Sequence, residues 1–414
     1  QFPNSLTLYN IQGAANAGLG KFSAAIDSYN QTLKIKPDYA EAYYNMGVAL
    51  MNKGDLEAAI DSYKQALKIK PDFAEAYNSL GIALMDKSDL GAAIDSYKQA
   101  LKIKPVYAEA YYNMGISLVD KGDLEAAIDS YKQALKIKPD YANAYNNMGI
   151  ALMNKGDPEA AIDSYKQALK IKPDYADAYY NMGVALMDKG DPEAAIDSYK
   201  QALKIKPVYA EAYYNMGVAL MDKGDPEAAI DSYKQALKIK PDYAEAYYNM
   251  GVALMDKNDP EAVIDSYKQA LKIKPDYADA YNNLGSALKN KGDLEAAIDS
   301  YKQALKIKPD HAEAYYNMGA ALMDKSDPEA AIDSYKQALK IKPNYADAYN
   351  NMGVALKNKG DLEAAIDSFK QALKIKPDYA DTYNNMGNAL QDKGDLEAAI
   401  DSFKQALKIK PDYA

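Results

Sequence analysis

The chain has 414 residues, 48% hydrophobic and 26% charged, with a formal net charge of −10. That balance suits a folded polypeptide and excludes a disordered one, and no apolar run approaches the ~20 residues a membrane-spanning helix needs. Every basic side chain is lysine and acids outnumber them, which argues against nucleic acid as a partner, while the absence of cysteine removes disulfide and thiol chemistry without assigning a compartment.

A period of 34 residues organises the whole sequence, the mark of a stacked array in which each repeat touches mainly its neighbours. Pro3 lies 34 residues before Pro37, so residues 1–5 read as the tail of a preceding repeat. Residues 6–39 read as a divergent repeat, with Gln12 and Asn16 at positions that are otherwise apolar. Eleven near-identical repeats fill 40–413, the first opening at Ala40 and the last at Ala380, and Ala414 reads as the start of a further repeat. No polar capping helix follows, so the sequence reads as a segment of a longer chain, outside which a signal, an anchor or a catalytic domain is allowed.

Counting Ala40 as position 1, apolar or small residues fall at positions 4, 7, 8 and 11 (Tyr43, Met46, Gly47, Leu50) and again at 20, 21, 24, 27, 28 and 30 (Ala59, Ile60, Tyr63, Ala66, Leu67, Ile69). This is helical spacing, and it predicts two amphipathic helices per repeat. Between them Gly54 suits a left-handed cap and Asp55 an N-cap. Pro158, Pro192, Pro226, Pro260 and Pro328 fall at the next position, where proline fits a first helical turn. Each second helix stops before Pro71 or its equivalent. Asp72-Phe73-Ala74-Glu75 then resembles a capping box for the next helix. On that reading Val106 and Val208 lose the cap and weaken their junctions by ~1 kcal/mol.

Glycine at position 8 and alanine at position 20 mark close helix approach. Val263 breaks the second rule and predicts overpacking of ~1–3 kcal/mol. From Asp279 onward Ser286, Lys289, Lys357, Asn388 and Gln391 replace apolar residues, which predicts a more polar C-terminal third. His311, the single histidine, replaces the usual tyrosine at position 34 and reads as packing or surface. No metal-ligand cluster or phosphate-cradling glycine loop is present, so neither cofactor nor catalysis is expected.

The pattern aromatic-x-x-Met/Leu-Gly-x-x-Leu, followed by Ala, Tyr, Ala and Pro, resembles the tetratricopeptide repeat; its residues in the first full repeat are Tyr43, Met46, Gly47, Leu50, Ala59, Tyr63, Ala66 and Pro71. The resemblance implies an all-α fold, a right-handed α-solenoid superhelix of stacked antiparallel helix pairs with first helices lining a concave groove. It also implies binding of peptides or extended protein segments without catalysis by the repeats.

Fold alone does not license a function, so the groove residues carry the rest. Position 6 is asparagine in ten of the eleven repeats: Asn45, Asn113, Asn147, Asn181, Asn215, Asn249, Asn283, Asn317, Asn351 and Asn385. An exposed helix face does not favour asparagine, and its amide both donates and accepts. The row resembles the asparagine ladder in the repeat superhelix of the O-linked N-acetylglucosamine transferase family, which implies a grip on the backbone of an extended polypeptide. The same residues are equally consistent with bonds to the neighbouring helix, and near-identical repeats copy every residue whether useful or not. Around the row stand Tyr112, Tyr180, Tyr214 and Tyr248 at position 5, Val184 and Val218 at position 9, Met187 and Met221 at position 12, and Asp188 and Asp222 at position 13. An apolar wall with an acidic rim favours a peptide with basic and apolar side chains. The lysine and arginine set with which chaperone-binding members of the family clamp a C-terminal carboxylate is missing here. Two other readings stand beside peptide binding. One is a structural spacer that self-associates end to end, since like repeats can form open filaments. The other is a substrate-presenting segment of a larger transferase.

Overall fold

The computed structural model describes residues 5–257 and 259–411. Among these residues there are twenty-four α-helices, one 3-10 turn and no strand. The chain is an all-α solenoid of helix pairs, divided into two compact units between Pro207 and Val208. The expected repeat tail at 1–5, apart from Ser5, and the repeat opening at Ala414 lie outside the described residues.

One repeat explains the rest. Ala40–Lys53 and Leu56–Ile69 are its two helices. Gly54 adopts φ +87°, and Asp55 N donates to Leu50 O at 3.0 Å while Gly54 N donates to Met51 O at 3.0 Å. These two bonds close the first helix by a Schellman motif. Asp55 Oδ1 then accepts from Ala58 N at 3.2 Å and caps the second helix. The chain reverses within two residues, so the helices lie antiparallel. Proline occupies the first position of the second helix in the repeats that carry it, as the sequence predicts.

The capping box is a correction. The N-cap of the Ala74–Asp86 helix is Phe73, with no side-chain bond, and Asp72 stays exposed. Val106 and Val208 therefore lose no cap; they expose an apolar side chain, and the N-cap φ moves from −91° at Phe73 to −133° at Tyr107 and −137° at Tyr209.

Within each unit every first helix packs on its own second helix, and most successive first helices also touch each other. The close approach is made by glycine. A Cβ at Gly47 would lie 2.6 Å from Tyr63 Cε1, and Tyr63 is fully buried against it. The same pairing of positions 8 and 24 recurs in each repeat, with Phe369 and Phe403 in the ring position of the last two. The alanines at positions 3, 10, 20 and 27 fill the remaining narrow spaces (Ala42, Ala49, Ala59, Ala66).

Val263 lies in a repeat that departs locally from the others and that also has Asn258 where most have glycine. Its helix partner Ala244–Leu254 ends early and runs on as the 3-10 turn Met255–Lys257, whereas the equivalent helix Ala210–Asp222 continues regularly. Met255 is 44% exposed, and a cavity of about 140 Å³ lies beside Met255, Pro260, Val263 and Ala287.

Candidate functional site

The stripe of each first helix that the stacking leaves partly uncovered holds positions 6, 9, 12 and 13, whereas position 5 is buried where it is Asn78, Asn146, Asn282 or Asn350. Positions 6 and 9 are half-buried in every full repeat; Val184 and Val218 are examples, with Met187 and Met221 half-buried beyond them and Asp188 and Asp222 exposed at the rim.

In the first unit, up to Pro207, the stripe closes into a recess of about 120 Å³ lined by Ile116, Val119, Asp120, Tyr131, Asn147 and Ile150. These are positions 9, 12, 13 and 24 of one repeat and positions 6 and 9 of the next. In the second unit, from Val208, the same six positions form a recess of about 310 Å³: Ala320, Met323, Asp324, Tyr335, Asn351 and Val354. Each has apolar walls, a carboxylate at the rim, a carboxamide opposite and a phenol from the second helix. Burial, with a smaller contribution from the neighbouring Tyr112 or Tyr316, pushes the pKa of Tyr131 and Tyr335 far up. Both hydroxyls therefore remain protonated at neutral pH.

The asparagine row does more than face outward. Asn147 Nδ2 donates to Tyr112 OH at 3.1 Å, a bond from one repeat to the one before it. Asn249 reaches Tyr214 OH at 3.0 Å, Asn283 reaches Tyr248 OH at 3.0 Å and Asn351 reaches Tyr316 OH at 3.0 Å. Where position 5 is asparagine the acceptor is a carboxamide: Asn113 donates to Asn78 Oδ1 at 3.1 Å, Asn181 to Asn146 at 3.0 Å, Asn317 to Asn282 at 3.0 Å and Asn385 to Asn350 at 3.1 Å. Asn146, Asn282 and Asn350 in turn donate to Asn147, Asn283 and Asn351. The outcome is a chain of bonds, Asn181 to Asn146 to Asn147 to Tyr112, that ties three repeats together. Asn45 and Asn215 are likewise half-buried.

The position-5 tyrosines are packed as well. The Tyr112 ring centroid lies 4.8 Å from Tyr141 and 6.1 Å from Tyr131. Tyr214 and Tyr248 sit the same way against Tyr243 and Tyr277, each at 4.8 Å, and Tyr180 lies 6.0 Å from Tyr199. These ring contacts lie within one repeat, and the hydroxyls of Tyr112, Tyr214 and Tyr248 reach the next repeat by accepting from Asn147, Asn249 and Asn283.

Two features of the recesses escape a reading by helix faces: the contribution of the position-24 phenol, which comes from the second helix, and an ion pair along the stripe. Lys289 Nζ lies 3.1 Å from Asp324 Oδ2, and Lys357 Nζ lies 3.1 Å from Asp392 Oδ2. Position 12 of one repeat thus reaches position 13 of the next. Ser286 Oγ also meets Tyr301 OH at 3.2 Å, so Ser286, Lys289 and Lys357 each have a polar partner. His311 is buried, its Nε2 3.2 Å from Asp279 Oδ1, as Tyr379 OH donates to Asp347 Oδ1 at 2.8 Å. Among the described residues no group of three or more His, Asp or Glu is arranged to hold a metal ion, and no helix is long and apolar enough to cross a membrane.

The family model described as "TPR repeat" matches the chain in eleven overlapping windows from 17–54 to 355–394, and the one described as "Tetratricopeptide repeat" matches 380–413. No curated protein matches the chain. Among solved structures, the crystal structure of MamA is 32% identical, covering 40% of this chain and 97% of that one with a TM-score of 0.38. YrrB, described as a TPR protein with an unusual peptide-binding site, is 24% identical over 45% of this chain and 96% of that one, with a TM-score of 0.41. The APC/C hetero-tetramer Cut9–Hcn1 is 14% identical over 98% of this chain and 94% of that one, with a TM-score of 0.48.

Proposed function

Because the chain belongs to the tetratricopeptide repeat family over nearly its whole length, we propose that it is a non-catalytic scaffold that binds an extended polypeptide along the uncovered stripe of its first helices. The observation that carries this reading is the recess between successive repeats, formed from the same six positions in both units. Its apolar walls and acidic rim suit a segment with apolar and basic side chains.

The asparagines take a narrower part in this proposal than a free ladder. One Nδ2 hydrogen of each bonded member holds the preceding repeat; the second is not used by that bond. The lock fixes the carboxamides at one spacing, and the remaining donor then serves the carbonyls of a ligand backbone.

The test is binding of labelled extended peptides, rich in lysine and leucine, to the whole chain by fluorescence anisotropy. Met187→Glu and Val184→Lys, which obstruct the stripe without touching the asparagine bonds, abolish binding on this reading. Asn181→Ala, Asn215→Ala and Asn249→Ala together weaken it. Unchanged affinity in Met187→Glu and Val184→Lys overturns the proposal; unchanged affinity in the triple asparagine variant removes the carboxamides from it.

A further inference from the structure

We propose that the Asp120 recess selects a cationic side chain, lysine or arginine, of the bound polypeptide, and that the Asp324 recess does not. This rests on the groove reading above and assigns chemistry to two places within it.

The two recesses are built from the same positions and differ in what approaches the rim acid. Position 12 of the preceding repeat reaches it. For Asp324 that residue is Lys289, and its ammonium already lies 3.1 Å from the carboxylate. For Asp120 it is Met85, which brings no charge. No ion pair to Asp120 is formed among the described residues. The chain thus contains its own picture of an occupied rim. The Lys289 side chain is 29% exposed, with its ammonium on the acid of the next repeat. A ligand lysine entering the Asp120 recess would complete the same pair. Ile116, Val119 and Ile150 would flank its methylene stem, as long cationic side chains favour.

The fold itself gains little from Asp120. It lies in the last turn of the Ala108–Lys121 helix, where the negative end of the helix dipole disfavours an acid. Its side chain is exposed and caps nothing; Gly122 closes that helix through backbone bonds. A bound cation offsets both the carboxylate and the helix end. At Asp324 the internal lysine does so already, leaving that recess to an apolar side chain.

The experiment compares three labelled peptides that differ at one central residue (lysine, arginine or norleucine) against the whole chain. Each is titrated by anisotropy at low salt, and the lysine peptide is also treated with a carbodiimide that joins amines to adjacent carboxylates. The lysine and arginine peptides are expected to bind about fivefold more tightly than the norleucine peptide, the scale of one good ion pair. Asp120→Asn and, independently, Met85→Lys lower that preference, and the same change at Asp86, Asp188 and Asp222, where the preceding position 12 is likewise methionine, lowers it further, while Asp324→Asn leaves it intact. Crosslinks map to Asp120 and not to Asp324. Equal binding of all three peptides, a preference that Asp120→Asn does not lower, or crosslinks at Asp324 overturns the selectivity while leaving the groove reading in place. Binding of none of them overturns both.

Discussion

A Cβ on Gly183 would stand 2.5 Å from Cε1 of Tyr199, a ring with almost no exposed surface. Alanine is the better helix former by about 1 kcal/mol, yet here overpacking of ~1–3 kcal/mol opposes that gain, because a buried ring has nowhere to move. Gly183→Ala is therefore expected to be destabilising by about 1–2 kcal/mol, seen as a lower urea midpoint; an unchanged or higher midpoint contradicts the packing argument. The sequence marks position 8 as a place of close approach, since glycine recurs inside a helix where it is otherwise costly. It does not reveal that the partner is the aromatic at position 24, because periodicity assigns a residue to a face and not to an opposing atom. The same limit hides the position-24 phenol from the recess. His311 takes its place against Asp279 much as Tyr379 does against Asp347, a packing role that its position in the repeat foreshadows.

At the scale of elements, Val263 shows a sequence exception coinciding with a structural one. The break in the alanine pattern was legible; the early end of the Ala244–Leu254 helix was not, since a pattern of residue types does not show which of two packed segments yields. Val263→Ala is expected to restore the last helical turn and raise stability by about 1 kcal/mol, measured by denaturant titration. A loss of stability would show that the valine fits without strain. The asparagine bonds are a second case. Both fates of the carboxamides, outward or against the neighbouring helix, were legible in the residue type, but the acceptor was not: it is position 5, a tyrosine in some repeats and an asparagine in others. Asn283→Ala removes the donor to Tyr248 OH and is expected to cost about 1 kcal/mol, checked by the same titration. No loss would mean that the bond contributes nothing to stacking. The capping box failed for a related reason. Asp72 and Glu75 have the right spacing, but the aromatic at Phe73 occupies the N-cap and packs 4.9 Å from Tyr44, and tertiary packing overrides the local signal.

At the scale of the whole molecule, one titration is written into the repeat. Burial raises the pKa of the position-24 tyrosines throughout, to about 12 for Tyr301 and higher for Tyr63, Tyr131 and Tyr199. A phenol whose folded value is raised above its unfolded value near 10 contributes stability fully present below that value. The contribution is lost as pH rises through the folded value. The denaturation midpoint is thus expected to hold constant through neutral pH and to fall above about pH 10, followed by circular dichroism; a midpoint independent of pH to 12 contradicts the burial of these rings. The all-α array of helix pairs was legible from the 34-residue period, since a stacked array encodes its own register. The candidate site was legible only as a face. The six positions of the recess come from two repeats and both helices, so no single helical stripe displays them.

The central claim is that ligand lies on the first-helix stripe, and photo-crosslinking tests it most directly. An extended lysine- and leucine-containing peptide carrying one photoreactive side chain is irradiated with the whole chain, and its attachment points are mapped by mass spectrometry. The account predicts attachment at stripe residues such as Val119, Ile150, Val184 and Met187. Attachment confined to the outward second-helix residues, such as Lys132 and Asp129, or none above a scrambled-surface control, would contradict it.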